Sequence, residues 1–430
     1  ALTAKENIEN IGGNIVADDN VSIYSENGDI KNSKKLSIHE NDYHDVYTDV
    51  RGSGNIVANN ISIVGNNVEN TGADIKAQDK IEIGAKKNLV IGNLEAIDKK
   101  VRDGGKDYIS DEKRTNVGSN LNAKDISLTS LGDIGITGSN IVATNKASIQ
   151  AKGDISIVAG KDSVLHKEKH SKSKGFGRSS SEESVAYATR NVASNVIGDK
   201  VNITSGKDVN IFGSNVGAKD TGNISAKGTI TEAAAKEINY SYHKKTKSGF
   251  MGLTGQSSTE KIHQELNAES NLYVKNQGII GGDIKVIGSN LVLGNNSIIN
   301  GKLTTDSNEL HNSYSYEESK KGFSGSIGSG GFSVGYGKTE SGLKEKDIIN
   351  AKSNLVLGDN VTLNKGAEIT ATNLTHGKII VNNGDVKFGA RKDTRDVETS
   401  SKSSGINLSV RIKSPALDRA KQGVDSFNQM

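Results

Sequence analysis

A chain of 430 residues without a cysteine holds neither a disulfide framework nor a thiolate metal site. Its 54 basic and 51 acidic side chains nearly cancel to a formal +3, which gives no excess of charge for gripping nucleic acid. The apolar share is only 33%, yet those residues are mostly β-branched and regularly placed, which argues against disorder.

The chain opens in mid-pattern, with Ile15-Val16-Ala17 followed by Val21 and Ile23. Residues 1 to 15 show no basic, apolar, then small-residue export signal, so the chain reads as an internal piece of a longer protein. From there a short phrase of two apolar residues spaced by two recurs beside Gly, Asn, Asp and Ser: Ile81/Ile83, Leu89/Ile91, Ile126/Leu128, Ile134/Ile136, Val201/Ile203, Val209/Ile211, Leu355/Leu357 and Val361/Leu363. A spacing of two puts both members on one face of a strand. Gly118-Ser119-Asn120 returns as Gly138-Ser139-Asn140, and Gly132-Asp133-Ile134 as Gly153-Asp154-Ile155, a period of about 20 residues. A rib this short cannot offset its own ordering entropy, whereas stacked ribs pair every backbone group with the next layer. The chain is therefore expected to be all-β, a parallel β-helix. Its single proline fits, since proline removes a donor from the ladder.

Several stretches break the phrase. Two early ones, around 41 to 53 and 98 to 115, read as ordinary loops. Three later ones share a Lys/Ser-rich run ending in Gly-Phe, at 166 to 176, 240 to 250 and 314 to 323, and a weaker fourth copy ends at Gly405-Ile406. Gly175, Gly249 and Gly322 stand 74 and 73 residues apart, which suggests a unit of about three coils plus one excursion. The excursions leave through Gly160-Lys161-Asp162, Lys236-Glu237 or Arg391-Lys392-Asp393. The fullest is expected to form a β-hairpin turning at Gly330-Gly331, with Phe332, Val334 and Tyr336 on one face. Beyond Pro415, Leu417, Ala420, Val424 and Phe427 predict a helix over 416 to 428. The expected organisation is coils with irregular loops over 1–115, repeat coils with Gly-Phe hairpins over 116–413, and a short helical tail over 414–430.

No catalytic, cofactor or metal site is expected. His166 and His170 are four apart but lack a third ligand, and the equivalent positions Tyr240/Lys244 and Tyr314/Glu318 do not keep the pair. Gly160-Lys161-Asp162 and Gly206-Lys207-Asp208 lack the spacing of a phosphate loop. No nucleophile elbow or paired-carboxylate motif is present. The basic runs are balanced by acids within the same excursions. The candidate contact residues are Phe176, Phe250, Phe323, Ile327, Phe332, Val334 and Tyr336. Either they pack the excursions back onto the coil, or their alternation with Gly and Ser meets a lipid or barrel surface, as in transmembrane strands.

The phrase Gly-Ser-Asn-Ile-Val-Ala over 138 to 143, Lys-Gly-Asp-Ile-Ser-Ile over 152 to 157 and the Gly-Phe excursions resemble the repeat region of the filamentous haemagglutinin and contact-dependent growth inhibition effector families. The resemblance covers most of 116 to 413 and more loosely 1 to 115. It implies a right-handed β-helical filament of a single chain, secreted with the help of an outer-membrane partner that acts on an upstream domain, and displayed at the surface of a Gram-negative bacterium. It also implies that this region meets the target cell's outer membrane or a surface receptor during toxin delivery; an adhesin shaft is the alternative, and a polysaccharide-active β-helix enzyme a third.

Overall fold

The computed structural model describes residues 1–328 and 331–411; the expected helix over 416 to 428 and the turn residue Gly330 lie outside the described residues. Among the described residues forty strands form three sheets. Two are parallel, of 17 and 12 strands, and enclose a narrow column; the third is antiparallel, of 11 strands.

Each coil of the column has three ribs. In one, Asn120–Ser130 supplies two ribs that bend at a register shift between Ala123 and Asp125, and Ile134–Thr137 supplies the third. The inward residues stack in columns, for example Ile83, Leu128, Ile149, Ile203 and Ile224, each 0–1% exposed. All eight rib pairs read from the sequence are buried. The column runs without division past residue 115, since Ile75 pairs with both Ile56 and Leu121.

Polar side chains order the corners. An asparagine ladder begins at Asp74 and continues through Asn120, Asn140, Asn195, Asn215, Asn271, Asn290, Asn354 and Asn373, each amide nitrogen donating to the oxygen of the coil before it. One residue earlier runs a buried serine ladder, Ser119, Ser139, Ser194, Ser214, Ser270, Ser289 and Ser353, in which each backbone N–H donates to the hydroxyl of the next coil. At a third corner, Asp133, Asp154 and Asp208 each accept a backbone N–H of the following coil. The recurring Gly-Ser-Asn and Gly-Asp-Ile marks are these ladders.

The sequence separation along the asparagine ladder alternates: 20, then 55, then 20, then 56, then 19, then 64 residues. An excursion thus leaves every second coil. Where none leaves, the corner closes on a residue in the left-handed region: Gly138 (φ 51°), Gly213 (φ 56°) and Gly288 (φ 56°). The unit is two coils plus one excursion, not three, because each excursion is a full hairpin much longer than its Gly-Phe signature.

Those hairpins build the antiparallel sheet. In chain order they are Lys35–Glu40 with Val46–Gly52, Leu94–Asp103 with Asp107–Val117, Gly160–Lys174 with Arg178–Val192, Ala235–Ser248 with Gly255–Ala268, and Asn308–Gly328 with Gly331–Ala351; the lone strand Thr394–Arg411 completes it. The stretches around 41 to 53 and 98 to 115, expected as loops, are therefore turns and strands of the first two hairpins. Nor are the excursions separate flaps: they pair edge to edge into one continuous fin. The geometry follows from strand spacing. Two coils rise about 9.6 Å, and one hairpin is two strands, also about 9.6 Å wide. Hairpins on alternate coils therefore meet in register.

The sequence-marked exits join neighbouring hairpins at their feet. Asp162 accepts the Asn116 N–H at 2.6 Å, Glu237 that of Asn191 at 2.8 Å, and Asp393 that of Asn350 at 2.8 Å.

Candidate functional surface

The fin is a single layer, and nearly all its side chains are half-buried or exposed. The fifth hairpin, 21 residues per strand, outreaches its neighbour: Gly255 pairs with Lys321, and positions beyond Lys321 pair only with the returning strand. This distal end is completed on its other side by Thr394–Arg411.

Register fixes its two faces. Phe323 pairs with Tyr336, Gly325 with Val334 and Ile327 with Phe332; across the next seam Tyr336 pairs with Ile406 and Val334 with Leu408. Alternation puts these side chains on one side. The Phe323 and Tyr336 rings meet edge to face with centroids 5.2 Å apart. Exposure is 59% for Phe323, 93% for Ile327, 45% for Phe332, 47% for Val334, 40% for Tyr336, 82% for Ile406 and 70% for Leu408.

The other side carries Gly322, Ser324, Ser326, Ser333, Gly335, Gly337, Gly405 and Asn407. Ser326 and Ser333 share a hydroxyl hydrogen bond of 2.8 Å. A Cβ at Gly335 would stand 1.7 Å from Asn407 Oδ1, so a larger residue there would push the Asn407 side chain aside. Two positions behind the aromatic pair, on its own face, Lys321 and Lys338 are cross-strand partners.

The structure thus brings five of the expected contact residues together. Phe176 lies elsewhere, at the tip of the third hairpin, 78% exposed in the left-handed region (φ 61°), its carbonyl accepting the Met251 N–H at 3.1 Å. Phe250 begins the 3-10 turn Phe250–Gly252, and its side chain lies outside the described residues. Ile406 and Leu408 were missed by sequence reasoning, although their spacing of two after Gly405 repeats the pattern at Phe332 and Val334.

Other chemistry is sparse. Among the described residues no group of three or more His, Cys, Asp or Glu is placed to hold a metal ion. His166 and His170 face carboxylates: Asp111 at 2.6 Å and Asp107 at 2.9 Å, respectively, with Glu168 between them. One fully buried carboxyl interrupts the column: Glu232 stacks between Ile211 and Val286, accepts the Leu272 N–H at 2.8 Å through Oε1, and has no partner at Oε2. Burial pushes this carboxyl well above its ordinary range. Among the described residues no helix is long and apolar enough to cross a membrane, which says nothing of strands.

The hemagglutinin-repeat family matches residues 102–179, 174–255 and 251–405, and the chain belongs to it. Hemagglutinin repeats are a structural, adhesin-type region, which makes this chain a shaft segment of a secreted exoprotein. A curated relative, the 16S rRNA endonuclease CdiA of Enterobacter cloacae subsp. cloacae, is 26% identical over 294 residues, 61% of this chain. The match covers 8% of that relative's length. No solved structure matches.

Proposed function

We propose that this segment engages the target-cell outer membrane during contact-dependent toxin delivery, as part of an exoprotein on the surface of a Gram-negative bacterium. The observation that carries this reading is the distal apolar face of the fin. A soluble chain rarely leaves so many large apolar side chains contiguous and exposed without a partner for them, and the likeness to a CdiA protein supports a delivery role. Secretion through an outer-membrane partner acting on an upstream domain belongs to the same proposal.

The face is too short to cross a bilayer. A spanning strand needs about 9–11 residues, whereas the apolar positions run from Phe323 to Ile327 and from Phe332 to Tyr336. It lies along the interface, with its rings among the headgroups and Lys321 and Lys338 at the phosphates. The Gly/Ser face stays wet. The adhesin-shaft reading draws on the column instead, whose ladders run coil after coil and make a stiff rod.

Flotation with vesicles of outer-membrane lipid tests the proposal. The intact chain floats with the vesicles, and a variant with Phe323, Phe332, Tyr336 and Leu408 changed to Ser stays behind with its column folded. Equal flotation of the two removes the membrane role.

A further inference from the structure

The seam between the second and third hairpins carries five alternating acids and imidazoles. Register sets Asp111 opposite His166, Ile109 opposite Glu168 and Asp107 opposite His170, so all of them face one side of the fin. His166 places Nδ1 2.6 Å from Asp111 and Nε2 3.6 Å from Glu168. His170 places Nδ1 2.9 Å from Asp107 and bonds Glu168 through Nε2. Glu168, on the third hairpin, is shared by both rings, while each ring reaches across the seam to an aspartate of the second hairpin.

A neutral imidazole carries one N–H and one lone pair. Flanked by two carboxylates, it donates to one and turns its lone pair on the other. Only the imidazolium, a donor at both nitrogens, satisfies both acids. From this geometry we infer that the seam is an acid-tightened clasp: protonated His166 and His170 hold the second and third hairpins together, and their deprotonation loosens that join.

The neighbouring charges fit. On the same face, the outgoing strand of the second hairpin sets Lys100 opposite Asp111 and Arg102 opposite Ile109. The returning strand of the third sets Glu182 opposite His170, Ser184 opposite Glu168 and Ala186 opposite His166, and Lys172 follows His170 on its own strand. None of these places a cation against either ring in the way the three carboxylates do. At the next seam Glu182 accepts from both His243, at 2.8 Å, and Lys245, at 3.0 Å. There a permanent cation, Lys245, shares the carboxylate with the imidazole, whereas His166 and His170 meet their carboxylates without one.

The rings are held above the ordinary histidine range, His166 chiefly by its hydrogen bond with Asp111 and His170 chiefly by that with Asp107. Glu168 and Asp107 are held low, each chiefly by its hydrogen bond with His170. A raised imidazole contributes in full below its unfolded value, about 6.5, and is lost as pH rises through the folded value. A lowered carboxylate contributes above its unfolded value, about 4, and is lost as pH falls through the folded one. The clasp is tightest between about pH 4.5 and 6.5.

Backbone amide exchange on the full chain, corrected for the intrinsic pH dependence, tests this. Amides of 107 to 114 and 163 to 170 should be several-fold better protected at about pH 5.5 than at about pH 8, with the rib amides of 121 to 128 unchanged. A variant with His166→Gln and His170→Gln should lose the difference while its ribs stay protected. Equal seam protection at both pH values in the intact chain, or an undiminished difference in the variant, overturns the clasp. If the variant fails to fold, exchange at the imidazole C2 of the intact chain decides: midpoints for both rings above about 6.5 support the clasp, and midpoints at or below it refute it.

Discussion

Ser214 Oγ stands 3.2 Å from the backbone nitrogen of Ser194 on the preceding coil and donates to its own Phe212 carbonyl at 3.0 Å. Both serines are fully buried. One hydroxyl thus satisfies an N–H of one layer and a C=O of another at a corner water does not reach. Ser214→Ala should cost about 1–3 kcal/mol, the cost of an orphaned buried N–H, read as a lower urea midpoint at unchanged slope. An unchanged midpoint would mean that the Ser194 N–H finds another acceptor.

The inward and outward faces of a rib should differ sharply. Ile203 is 0% exposed, whereas its neighbour Asn202 points outward. Ile203→Asp places a lone charge inside the stack and should remove several kcal/mol of stability; Asn202→Asp should leave thermal unfolding nearly unchanged. Equal tolerance would contradict the assigned face.

The alternation of plain and hairpin-bearing coils is a matching of lengths, so it can be broken without damaging the column. Duplicating residues 195 to 214 adds one plain coil and shifts the fourth hairpin by about 4.8 Å relative to the third. The chain has no cysteine of its own, so Ser181→Cys and Thr246→Cys, at cross-strand partners, report the seam. The pair should oxidise to a disulfide in the native chain and fail to do so after the duplication. Oxidation in both would show that the hairpins associate independently of the coil count.

Glu232 makes stability depend on pH. Its folded value is raised by burial, so its unfavourable effect is absent below the unfolded value, about 4.3, and grows as pH rises towards the folded value. Glu232→Val, which continues the apolar stack between Ile211 and Val286, should raise the unfolding midpoint, and more at pH 7 than at about pH 4. Parallel midpoints at both pH values would show that the carboxyl is not held neutral.

The column was legible because ribs of period two and corners of Gly, Asn, Asp and Ser are local signals. The fin was not, because a sheet wet on both sides has no need of apolar alternation: Arg178–Val192 reads as a polar stretch, yet it is a 15-residue strand. The second hairpin lacks Gly-Phe, and its membership shows only in pairings such as Asp111 with His166, 55 residues apart. The distal face was half legible. Phe332, Val334 and Tyr336 announced themselves by spacing, whereas Ile406 and Leu408 gain meaning only once their strand lies beside Val334 and Tyr336. Glu232 stands at an inward position of its rib, where an acid contradicts the apolar pattern, and only the stack shows how fully it is enclosed.

The sidedness of the distal fin can be measured at adjacent residues. A photoreactive side chain at Phe332, on the apolar face, should transfer label to lipid when the chain meets vesicles, and the same group at Ser333, on the Gly/Ser face, should not. Equal labelling from both positions, or none from Phe332, would contradict membrane engagement through this face.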